Sequence, residues 1–376
     1  MDIDIKKINN YIFSKHNIIP GTQLKEISDI SRNHIGLHSA RIITPYTTLC
    51  SRISDYNPQM LTDQLFISKN LIKIRCMRTT LHIVRLDIAP VVHMATLDLR
   101  LAECRLFFKR NNLSSKKVDS FEELIGSITV PTSPREIENK ITTKLKISDK
   151  GSSKICAKMI LKYFWEKGTL CYVNSSDNWE KENRKYALTK IFYSDINLQL
   201  FDIDKAQELL ILDYISKFGP VTIKDMAWWS GLPMRIINGI LDKNSYMLIK
   251  FAPKELNIDF FMTMEDYDKL LYFKEPDSEW ISLLAYEDPS LKGYYQSRFR
   301  YVRQEDYNKL FNQIGEVRPS IIINGKAAGI WTWDKKDKKI NTKLFRKMDK
   351  DTMKKIKCIK NEYENLLYPK DNVEGI

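Results

Sequence analysis

The chain has 376 residues, with 60 Lys and Arg against 47 Asp and Glu, a formal charge of +13. That length allows two to three domains. The basic surplus favours a polyanion as partner, most often nucleic acid, although a chain rich in Lys, Ile and Asn also acquires charge from its codon bias. No apolar run approaches a membrane span. Met1-Asp2-Ile3-Asp4 does not open a signal peptide. The six cysteines (Cys50, Cys76, Cys104, Cys156, Cys171, Cys358) lie far apart without metal-ligand spacing. Free thiols in a reducing cytosol, hence a cytoplasmic protein, are expected.

In chain order, the pattern predicts a repeated helix-turn-helix-strand-strand unit. The first copy has a helix over Ile5 to Phe13 and a second from Thr22. The Gly36-Leu37-His38 turn follows, then a helix from Pro45 into Arg52, with strands Leu71 to Met77 and Thr80 to Arg85 as its wing. A long helix from Ile88 to Lys109 leads to the second copy. There Ser133-Pro134-Arg135-Glu136 reads as a capping box opening a helix to about Lys144. Ile155 to Lys167 forms the next helix, Gly168 stops it, and Thr169 to Val173 is a strand.

The third copy is the clearest. Leu209, Leu210, Leu212 and Ile215 recur at helical spacing before Gly219-Pro220. Thr222 and Asp225 make a capping box for a short helix ending at Gly231. Pro233 suits the first turn of a helix from Met234 to Leu241, and Tyr246 to Lys250 and Asp259 to Met262 read as strands. Three helices and a two-stranded wing make a winged helix. From about Glu279 the chain reads as strands, with an Asn324-Gly325 hairpin turn, and Asp349 to Leu367 as a closing helix. Lys335 to Lys339 reads as a solvated loop.

Several stretches resemble one family in its own order. They are Ile35-Gly36-Leu37-His38-Ser39-Ala40-Arg41 with Pro45-Tyr46, and Cys76-Met77-Arg78-Thr79-Thr80-Leu81-His82. Further on come Gly219-Pro220-Val221-Thr222 with Ala227-Trp228-Trp229-Ser230-Gly231-Leu232, and Leu284-Ala285-Tyr286-Glu287-Asp288-Pro289 with Lys292-Gly293-Tyr294. The series closes with Arg318-Pro319-Ser320 through Gly329-Ile330-Trp331. The series is similar to the AlkZ/YcaQ family of DNA glycosylases. The resemblance implies an α+β chain of three tandem winged helices forming a C-shaped clamp on duplex DNA, with a strand-rich C-terminal part. The expected segments are 1–114, 115–200, 201–275 and 276–376. It also implies hydrolysis of the N-glycosidic bond of a modified base, without metal or other cofactor, by a protein expected to act as a monomer.

In that family a Gly-Leu/Val-Gln-x-Gln segment, or one ending in Asp, positions the hydrolytic water. This chain departs from it, with His38, Ser39 and Ala40 in those places. An imidazole titrates near neutral pH, so His38 can take a proton from water or give one to a leaving base. Ser39 can hydrogen-bond, and Ala40 marks a motif position that only makes room. His38 also fits a hydrogen-bonded turn residue. Asp288 is a candidate replacement carboxylate, although acids before Pro289 are ordinary turn formers. Trp228 and Trp229 read as core. DNA contacts are expected from Arg41, Arg75, Arg78, His82, Lys292, Tyr294, Arg298 and Arg300, where aromatics interleave with cations; a partly buried edge strand would explain the last three equally well. The target is expected to be bulky: an alkylated or crosslinked base, or a hypermodified cytosine such as glucosylated hydroxymethylcytosine in phage DNA. A regulator that binds DNA without catalysis is the competing class.

Overall fold

A computed structural model describes residues 3–145, 149–253 and 255–369. By packing, the chain divides into two compact units, Met1–Asp63 with Ile211–Ile376, and Gln64–Leu210. This division groups residues differently from the segments expected at 114, 200 and 275. The fold is a mixed helix-and-strand chain of tandem winged helices.

The third winged helix follows its sequence closely. Its helices are Ile203–Phe218, Ile223–Ser230 and Met234–Lys243, and its wing pairs Leu248–Phe251 with Phe260–Thr263. Thr222 and Asp225 satisfy each other's backbone amides at 3.0 and 3.1 Å. Gly231 ends that helix at φ 82, a left-handed conformation that a β-carbon disfavours. Tyr214 stacks on Trp229 at 4.5 Å and on Phe218 at 5.0 Å. Trp229 is therefore core, as its spacing predicts; Trp228 is only half-buried.

The second winged helix lies in the other unit. A Ser133–Glu136 capping box starts the helix Pro134–Leu145. The helix Lys150–Glu166 and the hairpin Leu170–Asn174 with Arg184–Leu188 complete it. Ile137, Ile141, Ile160, Phe164, Leu170 and Leu188 form its core, and each such burial contributes about 1.5–3 kcal/mol. The hairpin Leu71–Arg75 with Leu81–Arg85 belongs to the same unit.

The expected helix from Ile88 to Lys109 is broken at Thr96 into Ala89–Ala95 and Leu97–Arg110. Thr96 Oγ1 donates to the Val92 carbonyl at 2.7 Å and accepts from Arg100 Nε at 3.1 Å. The buried Arg100 also donates to Glu166 Oε2 and to the His93 carbonyl. Periodicity could not reveal this, because Arg100, one turn after the break, is paired with Glu166 from a distant part of the chain.

The N-terminal helix Ile5–Lys15 is capped by Asp4. No helix begins at Thr22. Its hydroxyl bonds back to Ile19, Gly21 turns at φ 88, and Leu24 instead forms a parallel bridge with Ile53. A 3-10 turn Ile27–Asp29 and a helix Ile30–Asn33 follow, then the short strand Leu37–His38. The next helix is Thr44–Leu49, shorter than expected, and Pro58–Phe66 is a helix that the sequence pattern did not predict.

The C-terminal part is an antiparallel sheet of Ile281–Leu284, Ser320–Ile323, Lys326–Asp334 and Lys339–Leu344, neighbours in that order. Asn324 and Gly325 turn at φ 48 and 77, as a two-residue hairpin with primed geometry requires. The helix Lys350–Leu367, capped by Asp349, closes the sheet.

Beneath this sheet end lies a buried ionic knot. Arg52 grips both oxygens of Asp288 at 3.0 and 2.7 Å, and both side chains are wholly buried. Arg52 also donates to Ser290 Oγ at 2.9 Å and to His34 Nε2 at 3.1 Å. Ser290 Oγ in turn meets His16 Nδ1 at 2.9 Å, while His16 Nε2 faces the Lys217 carbonyl at 3.1 Å. A guanidinium only donates, so His34 Nε2 accepts from Arg52; the same nitrogen lies 3.3 Å from the His16 carbonyl. A carbonyl only accepts, so His16 donates from Nε2 to Lys217. Burial first, then neighbouring cationic or imidazole groups, hold both histidines well below the ordinary imidazole value.

Two outcomes follow for stability. Arg52→Met should lower the unfolding free energy by about 3–5 kcal/mol, and adding Asp288→Leu should recover part of the loss, because an unpaired buried charge costs more than an absent pair. Both histidines, and His93, which burial and Arg100 lower to about 3, are neutral when folded and bind protons when unfolded. Their contribution is fully present above about pH 6.5 and declines as pH falls below it, by up to ~1.4 kcal/mol per pH unit for each histidine. Urea titrations at neutral and mildly acidic pH check this; His34→Gln should flatten the slope.

Candidate active site

Ile35 and Leu37 are buried and anchor the segment, which places His38 on the opposite face of the short strand Leu37–His38. His38 is 6% exposed, and its ring lies 6.1 Å from that of Tyr286, tilted edge-on. Ser39 is buried, and its Oγ has no hydrogen-bond partner among the described residues. A buried hydroxyl in that state costs free energy unless a partner arrives, which makes Ser39 a place for a water or substrate oxygen. Ala40 and Arg41 are exposed. The Arg41 guanidinium lies over Tyr286, 3.5 Å from the ring centroid.

Tyr286 follows the strand Ile281–Leu284 and was not among the expected site residues. Its signal in the sequence is the Leu284-to-Pro289 stretch, where two acids stand beside the aromatic. Its hydroxyl bonds to the Glu316 carboxylate; burial, then that bond, raise its pKa, so it remains a donor. Glu316 also accepts from Asn312 Nδ2 at 2.7 Å. Burial raises the Glu316 carboxyl, but its bonds from Tyr286 and Asn312 outweigh that and hold it low.

Glu287 turns the chain away from the site at φ 54, a conformation that costs a residue with a β-carbon roughly 1–2 kcal/mol. It is held there by its own carboxylate. Oε1 accepts from the Val317 amide at 2.6 Å, and Oε2 pairs with Lys292 Nζ at 2.5 Å. Lys292 thus faces Glu287 and lies 5.4 Å over the Trp228 ring, rather than standing as a solvated cation.

Asp288 faces the interior. It is fully buried, both oxygens engaged by Arg52, and Oδ1 also caps Ser290 at 3.0 Å. Three of the expected DNA contacts are likewise turned inward. Tyr294 is buried, with its hydroxyl on the Phe218 carbonyl at 2.8 Å. Arg298 is buried against Phe311 at 4.1 Å and donates to the Tyr294 carbonyl. Arg300 is buried over Tyr294 at 4.1 Å and donates to Asn9 Oδ1 at 2.7 Å. Aromatics interleaved with cations here build an interior, because guanidinium planes stack on ring faces as readily inside a protein as on nucleic acid.

Arg75, Arg78 and His82 lie in the other unit. Arg75 Nε is 3.1 Å from Glu166 Oε1, yet neither atom achieves hydrogen-bond geometry; we read this as a charge contact. Arg78 sits at φ 52 in the hairpin turn. His82 Nδ1 contacts the Thr80 carbonyl at 3.2 Å and Cys76 Sγ at 3.6 Å. Burial pushes the Cys76 thiol up to about 12. Among the described residues no cluster of three His, Cys, Asp or Glu is arranged to hold a metal, and no helix is long and apolar enough to cross a membrane.

The fold is one of tandem winged helices, and the candidate site sets a polar strand end against an aromatic that follows the first strand of the C-terminal sheet. The model of the family described as DNA glycosylase AlkZ-like matches residues 34–363, and the chain belongs to that family; it is a DNA glycosylase. The solved structure of the Streptomyces sahachiroi DNA glycosylase AlkZ aligns with a TM-score of 0.79 at 16% identity, covering 97% of this chain and 98% of that one. At that identity the likeness shows the fold. No curated protein matches the sequence.

Asp288→Asn separates position from chemistry. It should lower stability while the folded protein excises base within a few-fold of wild type. Unchanged stability with a loss of roughly 10²-fold or more, the size of a general acid–base effect, would make Asp288 catalytic.

Proposed function

We propose that the protein is a monofunctional glycosylase that removes a bulky modified base from duplex DNA and leaves an abasic site, with His38 and Ser39 as its hydrolytic pair. The target is an alkylated or crosslinked base, or a hypermodified cytosine. The observation that supports this is the His38-Ser39-Ala40 segment beside Tyr286, standing where the resemblance puts the family's water-positioning residues.

Cleavage of an N-glycosidic bond passes through an oxocarbenium-like sugar, which needs a placed water and a base helped to leave. Ser39 Oγ accepts or donates one hydrogen bond to the water. His38 takes the water's proton as it attacks the sugar carbon, or gives a proton to the departing base. A neutral pyrimidine leaves less readily than a cationic alkylpurine, so an imidazole extends the range of bases beyond what two amides can serve. Ala40 is exposed and small, leaving room where the family has an amide or carboxylate.

His38→Ala should lose excision by roughly 10²–10⁴-fold while keeping most duplex affinity. The substrates are duplexes carrying N7-alkylguanine, a crosslink mimic or glucosylated hydroxymethylcytosine, with alkaline cleavage revealing abasic sites. Tight duplex binding with no cleavage of any of the three would favour a binder without catalysis. Duplex affinity should fall with salt at a log–log slope near −0.9 per neutralised phosphate.

A further inference from the structure

Tyr286 is held rigidly on several sides. The His38 ring meets it at 6.1 Å, Glu316 holds its hydroxyl, and the left-handed turn at Glu287 fixes its backbone. One face of the largely buried ring carries Arg41, whose guanidinium lies 3.5 Å from the centroid while the residue itself is exposed. Arg41 also feels the Glu316 carboxylate, so two groups of the site keep it there.

A guanidinium is planar, delocalised and comparable in size to a small heterocycle, so a ring face that stacks one also stacks a planar base. Enzymes that act on a base extrude it and hold it against aromatic side chains. Duplex DNA, moreover, brings phosphates, with which arginine makes stronger, bidentate bonds than with a ring. The ingredients of an exchange are therefore present in four consecutive residues and one aromatic.

We propose that Tyr286 is the stacking platform for the extruded base, and that Arg41 occupies its face in the DNA-free protein and leaves it for a backbone phosphate when the base enters. This rests on the base-extruding site proposed above, but not on His38 performing the hydrolysis. Arg41 is then both a DNA contact and a place-holder that keeps the ring from opening to solvent.

The test compares two duplexes, one with 2-aminopurine in a mismatch, the other with a tetrahydrofuran abasic analogue at the same position. A mismatched base is extruded at low cost, and binding to either duplex requires no cleavage. Wild type should prefer the 2-aminopurine duplex by on the order of tenfold, the effect of one base–aromatic stack. Tyr286→Phe should keep that ratio, and Tyr286→Ala should abolish it. Tyr286→Leu, which keeps apolar bulk without a π face, serves if the alanine variant does not fold. Arg41→Ala should weaken binding to both duplexes yet raise the ratio a few-fold, because the competitor for the ring is gone. A wild-type ratio of one, a ratio unchanged when the ring is removed, or a ratio lowered by Arg41→Ala would overturn the proposal. If the ratio responds to Tyr286 while no modified base is ever excised, the platform stands and the excision reading falls; if excision occurs and the ratio ignores Tyr286, the reverse holds.

Discussion

The pairing of Arg52 with Asp288 is the constraint on which the site depends. Two full charges out of water are tolerated because the guanidinium is engaged on every side: besides Asp288, Thr48, Ser51, His34 and Ser290 accept its hydrogens. The pair joins the segment just after the His38 motif to the segment just after Tyr286. Once Arg52 holds Asp288, the preceding residues have little freedom. Glu287 is held in its left-handed turn by the Val317 amide and Lys292, and the Tyr286 ring meets that of His38. A second buried carboxylate acts alike nearby. Asp225, besides closing its capping box, accepts from the amides of Tyr295 and Gln296 at 2.6 and 2.8 Å and from Ser297 Oγ at 2.7 Å. It ties the third winged helix to the chain that leaves Gly293.

Some of the arginines that contribute to the basic composition are therefore not available to a polyanion. Arg52, Arg298 and Arg300 are among the largest fully buried side chains. Arginine suits this use because its fork satisfies several acceptors while its faces stack on rings. The exposed Arg41 differs from them only in lying at the rim, where one face of one tyrosine holds it. The chemistry of the site follows from that contrast: fixed cations build the frame, and the cation that can leave covers the working ring.

The sequence makes legible what depends on local physics. The Thr222–Asp225 box, Gly231, the Asn324-Gly325 turn and the Asp349 cap all sit where their chemistry predicts, since each is decided within a few residues. What failed was long-range. Thr96 looked like helix interior, and only the buried Arg100 explains the break. Thr22 looked like a helix start, but its hydroxyl serves a turn whose next residues bridge to Ile53. Asp288 looked like spare acid because Arg52, its partner, lies far away in sequence. Tyr294, Arg298 and Arg300 have a composition that a DNA surface and a stacked core share, so burial alone decides between them. The motif around His38 was visible through resemblance to a family, whereas the aromatic that meets it was visible only as a letter in a stretch read for its acids.

The central claim is that His38 moves a proton where the family places an amide. Single-turnover excision measured across pH, for wild type and for His38→Gln, tests it most directly. The variant restores the family's residue at that position, so the water is still held but no imidazole is present. The account predicts that wild-type excision rises or falls with a single ionisation, and that the variant is slower and loses that dependence. An identical pH profile in both proteins, at similar rates, would contradict it.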